Sequence, residues 1–240
     1  MLLKQLRTEV LEANLELVKH GLVLYTFGNA SGIDREQNLI VIKPSGVDYD
    51  HLRPEHMVVT DLHGNLVEGD LKPSSDLDTH TLLYREFAGI GAVVHTHSEY
   101  ATSFAQAGLP IPALGTTHAD YFYGPVPVTE VLTDAAVGQR YVHETGLAIV
   151  ERFRNLDPLA VPAVLVAGHA PFCWGRTPAD AAHNAVVLEA VARMAYRTLT
   201  LTADCPGVSQ ALLDRHYFRK HGAAASYGQK NGPPQTSKKI

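Results

Sequence analysis

The segment Ala92-Val93-Val94-His95-Thr96-His97 constrains this chain most. An apolar run of this kind reads as a strand, and residues two apart on a strand face the same way. His95 and His97 therefore leave one strand end together. Two imidazoles so placed can share a borderline metal such as zinc. They can equally be strand-end histidines bonded to backbone, so a third ligand decides between the readings. His169 follows a second apolar run, Ala163-Val164-Leu165-Val166-Ala167-Gly168, again at a strand's expected end. Asp76, in Lys72-Pro73-Ser74-Ser75-Asp76, is the best carboxylate to complete a shell. Three histidines and an acid suit a Lewis acid that polarises a carbonyl. His80 and His183 fall on expected helices and read as packing or surface residues. His20, His51, His56, His63 and His143 read as turn or surface positions.

The rest of the chain reads as one α/β domain over residues 1–229, with a disordered tail over 230–240. Its 240 residues carry a net charge of −5 and no basic block, which argues against a nucleic-acid partner. Cys173 and Cys205 are far apart, so neither a disulfide framework nor a cysteine-rich zinc module is expected. Charges at Lys4, Arg7, Glu9, Glu12 and Glu16 break any N-terminal apolar run, and no segment approaches the ~20 apolar residues of a membrane span. A cytoplasmic protein without membrane contact is expected. Helices are predicted over 2–19, 77–88, 98–107, 134–154 and from Pro178 to about Leu199. Strands are predicted over 22–27, 38–43, 90–97 and 163–168, with a hairpin over 57–69 and a loop-rich stretch over 108–128. No GxGxxG follows a strand, so no nucleotide cofactor is expected. These elements predict a central mixed, mostly antiparallel sheet between helical layers.

Three loops share small residues, hydroxyls and free backbone N–H groups: Thr26–Gly32, Lys43-Pro44-Ser45-Gly46 and Lys72-Pro73-Ser74-Ser75. Each has the composition of an anion nest, and Lys43 adds a point charge. Each alone reads as an ordinary turn. Their recurrence beside a metal motif favours a phosphorylated ligand.

Several stretches together resemble the L-ribulose-5-phosphate 4-epimerase family of the class II, metal-dependent aldolase superfamily. They are Thr-Phe-Gly-Asn at 26–29, Val-Ile-Lys-Pro-Ser-Gly-Val-Asp-Tyr at 41–49, Lys-Pro-Ser-Ser-Asp at 72–76 and His-Thr-His at 95–97. They continue with Gly-Thr-Thr-His-Ala-Asp-Tyr-Phe-Tyr-Gly at 115–124, Pro-Phe-Cys-Trp-Gly at 171–175, His-Tyr-Phe-Arg-Lys-His-Gly at 216–222 and Tyr-Gly-Gln at 227–229. The resemblance implies an α/β/α sandwich assembled as a C4 homotetramer, with sites between neighbouring subunits. It implies zinc, or another divalent metal such as manganese or cobalt, on His95, His97 and His169, with Asp76 in or against the shell. Gly28, Asn29, Lys43, Ser45, Gly46, Ser74, Ser75, Thr116, His216 and Arg219 would bind a sugar phosphate. Asp120 and Tyr227 would be the acid/base pair.

Sugar-phosphate aldolases of the superfamily usually carry glutamate where this chain has Asp76, which points to the epimerase branch. There, C4 of a ketose phosphate such as L-ribulose 5-phosphate is inverted by retro-aldol cleavage, aldehyde rotation and re-addition, in arabinose or ascorbate breakdown. The alternatives are an aldolase that releases its two fragments and a non-catalytic metal-dependent sugar-phosphate binder. Ala170 and Cys173 depart from the family's usual His-Gly-Pro-Phe-Ala-Trp-Gly, and Phe27 replaces a common tryptophan.

Overall fold

The computed structural model describes residues 1–222, 225 and 226. The tail expected to be disordered, and Tyr227, lie outside the described residues. Seven strands form one sheet in the order β4-β3-β2-β1-β5-β7-β6. They are β1 (Asn29–Asp34), β2 (Leu39–Ile42), β3 (Val58–Asp61), β4 (Leu66–Glu68), β5 (Ala92–His95), β6 (Ala163–Leu165) and β7 (Pro171–Gly175). Every ladder is antiparallel, and one parallel bridge joins Val128 to Leu165. The helices are α1 (Lys4–Lys19), α2 (Leu77–Glu86), α3 (Glu99–Gln106), α4 (Thr116–Ala119), α5 (Asp134–Arg152), α6 (Pro178–Leu201) and α7 (Gln210–His221).

Strand alternation in β1 assigns the two layers. Ser31 sends its hydroxyl to His80 and Tyr84 of α2. Gly32 faces the other way, where a Cβ would come within 2.8 Å of Leu6 in α1 and 3.1 Å of Pro178 in α6. Helices α1 and α6 thus cover one face, while α2, packed on α5, covers the other. One apolar core, including Val93, Val94, Phe172, Trp174 and Leu188, runs through both layers. α6 begins as its sequence predicts: Thr177 accepts from the Asp180 N–H at 3.1 Å, with Pro178 in the first turn.

Five segments depart from the sequence reading. Residues 22–27 form no strand, because Tyr25 takes a left-handed φ of 50° and its ring is exposed. The strand lies in the next segment, Asn29–Asp34, which reads as a turn. Its small residues are poor strand formers, but at Gly32 α1 and α6 approach too closely for a larger one, so packing overrides propensity there. The run 163–168 is a strand only to Leu165, and Pro171–Gly175, unassigned from sequence, forms the strand between β5 and β6. Proline is tolerated there as a first strand residue. Helix α7 also escapes the sequence reading, since only Leu213 and Tyr217 of its residues are buried.

Candidate metal and sugar-phosphate site

One row of paired residues crosses the sheet centre: Asn29 on β1 opposes His95 on β5, which opposes Phe172 on β7. Paired residues share a face, so all three look toward the α2 layer. Phe172 stacks on the His95 ring at 4.2 Å. His97 leaves just past the end of β5, and His169 arrives from the turn before β7. The three imidazoles converge with ring centroids 4.9–5.0 Å apart, and their ligand atoms all lie within 4.8 Å of one another.

The donor set fits a divalent ion. His95 Nδ1–H donates to the Pro171 carbonyl at 2.9 Å, which leaves Nε2 as a lone pair. That atom stands 3.1 Å from His97 Nε2. Two donors each ~2.0–2.1 Å from one ion have about this separation. Burial opposes charge on all three rings: His95 and His97 are held below the ordinary histidine range, and His169 is pushed down to about 4, with its neighbouring imidazoles adding to the effect. The rings are therefore neutral at pH 7, the form that ligates. His169 Nδ1 is buried with no partner among the described residues.

Asp76 ends the loop that opens α2. Its Oδ2 accepts from Asn29 Nδ2 at 2.6 Å. Burial acts to raise its carboxyl, and the His95 and His80 imidazoles with the Asn29 amide outweigh it, so the group is held low. It is not one of the three clustered ligands, but it lines the same cleft.

That cleft, about 420 Å³, is walled by the triad, Asp76, Phe27 and the three small-residue loops. Gly28, Asn29, Lys43, Ser45, Gly46, Ser74 and Ser75 all reach it. The two Lys-Pro-Ser loops clasp each other: Ser45 N–H donates to the Lys72 carbonyl at 2.9 Å and Ser74 N–H to the Lys43 carbonyl at 3.0 Å. Lys43 is almost wholly buried over the Tyr49 ring, 4.7 Å from its centroid. Burial pushes its amine down to about 8, so it is still mostly protonated at pH 7. Tyr49 donates to the Gly28 carbonyl at 2.9 Å and to that of Phe27 at 3.1 Å. Gly28 has φ 81°, and a Cβ there would lie 2.9 Å from the His95 carbonyl. A side chain cannot be added without moving the loop off the metal strand.

Asp120, Thr116, His216 and Arg219 line none of this cleft among the described residues. Asp120, at the end of α4, is gripped by α7. Arg219 reaches it with Nε at 3.0 Å and Nη2 at 2.7 Å, His216 Nδ1 lies at 3.0 Å, and Lys220 Nζ at 3.6 Å. Burial acts to raise this carboxyl, and its hydrogen bonds to Arg219 and His216 with the Lys220 and Arg219 charges outweigh it, so it is held below the usual carboxylate range. Thr116 opens α4 and is exposed. The structure thus brings the three histidines, Asp76 and the small-residue loops to one cleft and gathers His216 and Arg219 on Asp120 elsewhere.

Sequence reasoning gave no separate role to Tyr49 and Phe172, and its reading of His80 as a packing or surface residue meets a wholly buried ring against Phe172.

Comparison with known proteins follows this geometry. The model of the Class II Aldolase and Adducin N-terminal domain matches residues 8–196. An L-fuculose 1-phosphate aldolase superposes with a TM-score of 0.78 at 26% identity, covering 90% of this chain and 96% of its own. A putative aldolase/epimerase/decarboxylase from Klebsiella pneumoniae superposes at 0.69 with 24% identity, covering 90% and 99%. An L-fuculose-1-phosphate aldolase from Thermus thermophilus gives 0.64 at 23% identity, covering 85% and 98%. The last two share the fold.

Proposed function

The chain belongs to the class II aldolase and adducin N-terminal domain family, and on that premise we propose that it is a metal-dependent L-ribulose-5-phosphate 4-epimerase. The observation that carries the reading is the convergence of His95, His97 and His169 in one cleft with the clasped Lys-Pro-Ser loops. A divalent cation on the three imidazoles, zinc or a similar metal, would polarise the ketone and stabilise the charge that develops when C3–C4 breaks.

The chain's own groups supply the rest. Lys43, the hydroxyls of Ser45, Ser74 and Ser75 and the backbone amides of Gly46 and Ser75 hold the phosphate. That grip retains the aldehyde fragment while it rotates. Asn29 orients Asp76 beside the triad. Asp120, ionised at pH 7, accepts the C4-hydroxyl proton from one face, and Tyr227 serves the other. The Asp120 group stands outside the cleft of its own chain, which supports a C4 homotetramer in which a neighbour supplies Asp120, Tyr227, Thr116, His216 and Arg219. The work of this site needs no nucleotide, nucleic acid or membrane.

A second reading has its own support: the similarity to an L-fuculose 1-phosphate aldolase favours release of the two fragments. The test is turnover of L-ribulose 5-phosphate by metal-loaded, chelated and re-loaded enzyme. D-xylulose 5-phosphate should form, vanish with chelation and return with metal. Free glycolaldehyde phosphate would select the aldolase, and full turnover by enzyme shown to be metal-free would reject both.

A further inference from the structure

Among the described residues that line the metal cleft, Lys43 is the only lysine or arginine, and it is 1% exposed. A buried ammonium needs compensation for the water it gives up. Its one hydrogen bond among the described residues is donated to the Pro44 carbonyl at 3.3 Å. Asp48 is the carboxylate whose charge acts on it, but that side chain is 69% exposed and stands beside His51 instead. What lies against the ammonium is the face of the Tyr49 ring, with Nζ 4.7 Å from its centroid.

The chain folds back on itself to build this seat. Gly46 turns it with a left-handed φ of 68°, and Tyr49 opens the short 3₁₀ turn Tyr49–His51. The ring packs into a small core with Val10, Val41, Leu52, Met57 and Val59. Its hydroxyl donates to the Gly28 carbonyl at 2.9 Å and the Phe27 carbonyl at 3.1 Å. Burial holds the phenol above its ordinary range, so it stays protonated and remains a donor. Packing thus fixes the near end of the ring, and the loop that borders the metal strand fixes the far end.

A carboxylate in the same place would stabilise the ammonium too, but it would neutralise the charge and occupy the N–H groups. The negative face of an aromatic ring attracts a cation and offers no lone pair. Two of the three ammonium N–H groups then stay available to a ligand. We propose that Tyr49 is a positioning residue for anion binding: its ring, tethered by the hydroxyl to the Gly28 loop, seats the Lys43 ammonium in the cleft as an unneutralised cation for a phosphate group. The ligand half of this rests on the sugar-phosphate reading, and the seat does not.

The first test needs neither ligand nor metal. Tyr49→Phe and a series of progressively fluorinated phenylalanines at position 49 keep the volume of the ring while draining its negative face. The titration midpoint of Lys43 is followed through its ¹³Cε resonance in the metal-free chain and assigned with Lys43→Met. It should fall along the series, by about one pH unit at the end. A midpoint that stays in place along the series overturns the proposal, because packing alone would not track the fluorine content.

The second test is calorimetric affinity of the metal-free chain for inorganic phosphate, at a pH below every midpoint. It should weaken stepwise along the same series, by about 5–30-fold overall. In the Lys43→Met background the ring at position 49 should cease to matter. Constant affinity along the series, or the same weakening without Lys43, overturns the anion seat. Should the wild-type chain bind no phosphate, the sugar-phosphate reading fails together with the ligand half of this proposal, while the titration still judges the seat.

Discussion

At the residue scale, the site depends on groups held in an unfavourable protonation or burial state for a purpose. Neutral, buried imidazoles are ready to ligate but penalise acid. His80 titrates at about 3 in the folded chain because burial opposes its charge, against 6.5 for an ordinary histidine. Between these values the unfolded chain binds a proton that the folded chain does not, so stability falls as pH drops through that window. The slope for this ring alone is about 1.4 kcal/mol per pH unit. Denaturant unfolding of metal-free protein from pH 7.5 to 5 should show the decline, and a shallower one in His80→Phe; stability that rises toward pH 5 contradicts it. The acid/base pair gives a second prediction. Tyr227→Phe should lower kcat by ~10²–10⁴-fold with KM little changed, as for loss of a proton-transfer group. Its residual product should be biased to one C4 epimer, and Asp120→Asn should favour the other. NMR of the products decides; equal mixtures at wild-type rates would reject the assignment.

At the element scale, the site exists because three strand ends and one helix start meet. The apolar run into His95 and the spacing to His97 were legible, since strand alternation alone brings the two rings to one side. His169 was legible in the same way, although the strand before it is shorter than its apolar run. β1 was not legible. Asn29-Ala30-Ser31-Gly32 has turn composition, and only the approach of Leu6, Val10 and Pro178 to Gly32 shows why a glycine sits in a central strand. Missing β1 hid the Asn29–His95–Phe172 row and with it the place of His80. Gly28, at the entry to β1, carries a prediction. Gly28→Ala meets a left-handed φ and the His95 carbonyl, and should destabilise by about 1–3 kcal/mol. Metal affinity should fall with it, measured by thermal unfolding with and without Zn²⁺. Unchanged stability and affinity would mean the loop does not bear on the metal strand.

At the scale of the whole molecule, the expected sandwich stands, with helical layers on both faces of an antiparallel sheet. Among the described residues no helix is long and apolar enough to cross a membrane. The resemblance implies a site shared between subunits, and among the described residues neither Asp120 nor its α7 partners line the metal-ligand cleft. Assembly is the proposed remedy. Light scattering should give about four times 26.1 kDa. Mixing and re-assembling His97→Ala with Asp120→Asn, each much less active than wild type alone, should raise activity at sites that draw one intact half from each chain. A stable, active monomer, or no recovery on mixing, would contradict a shared site. The central claim is that this cleft breaks and remakes C3–C4 of one pentulose phosphate without losing the fragment between. The most direct measurement is a ³¹P NMR time course of metal-loaded enzyme with L-ribulose 5-phosphate. The account predicts a second pentulose phosphate, D-xylulose 5-phosphate, growing to equilibrium with no free glycolaldehyde phosphate; an unchanged substrate, or glycolaldehyde phosphate as the accumulating product, would contradict it.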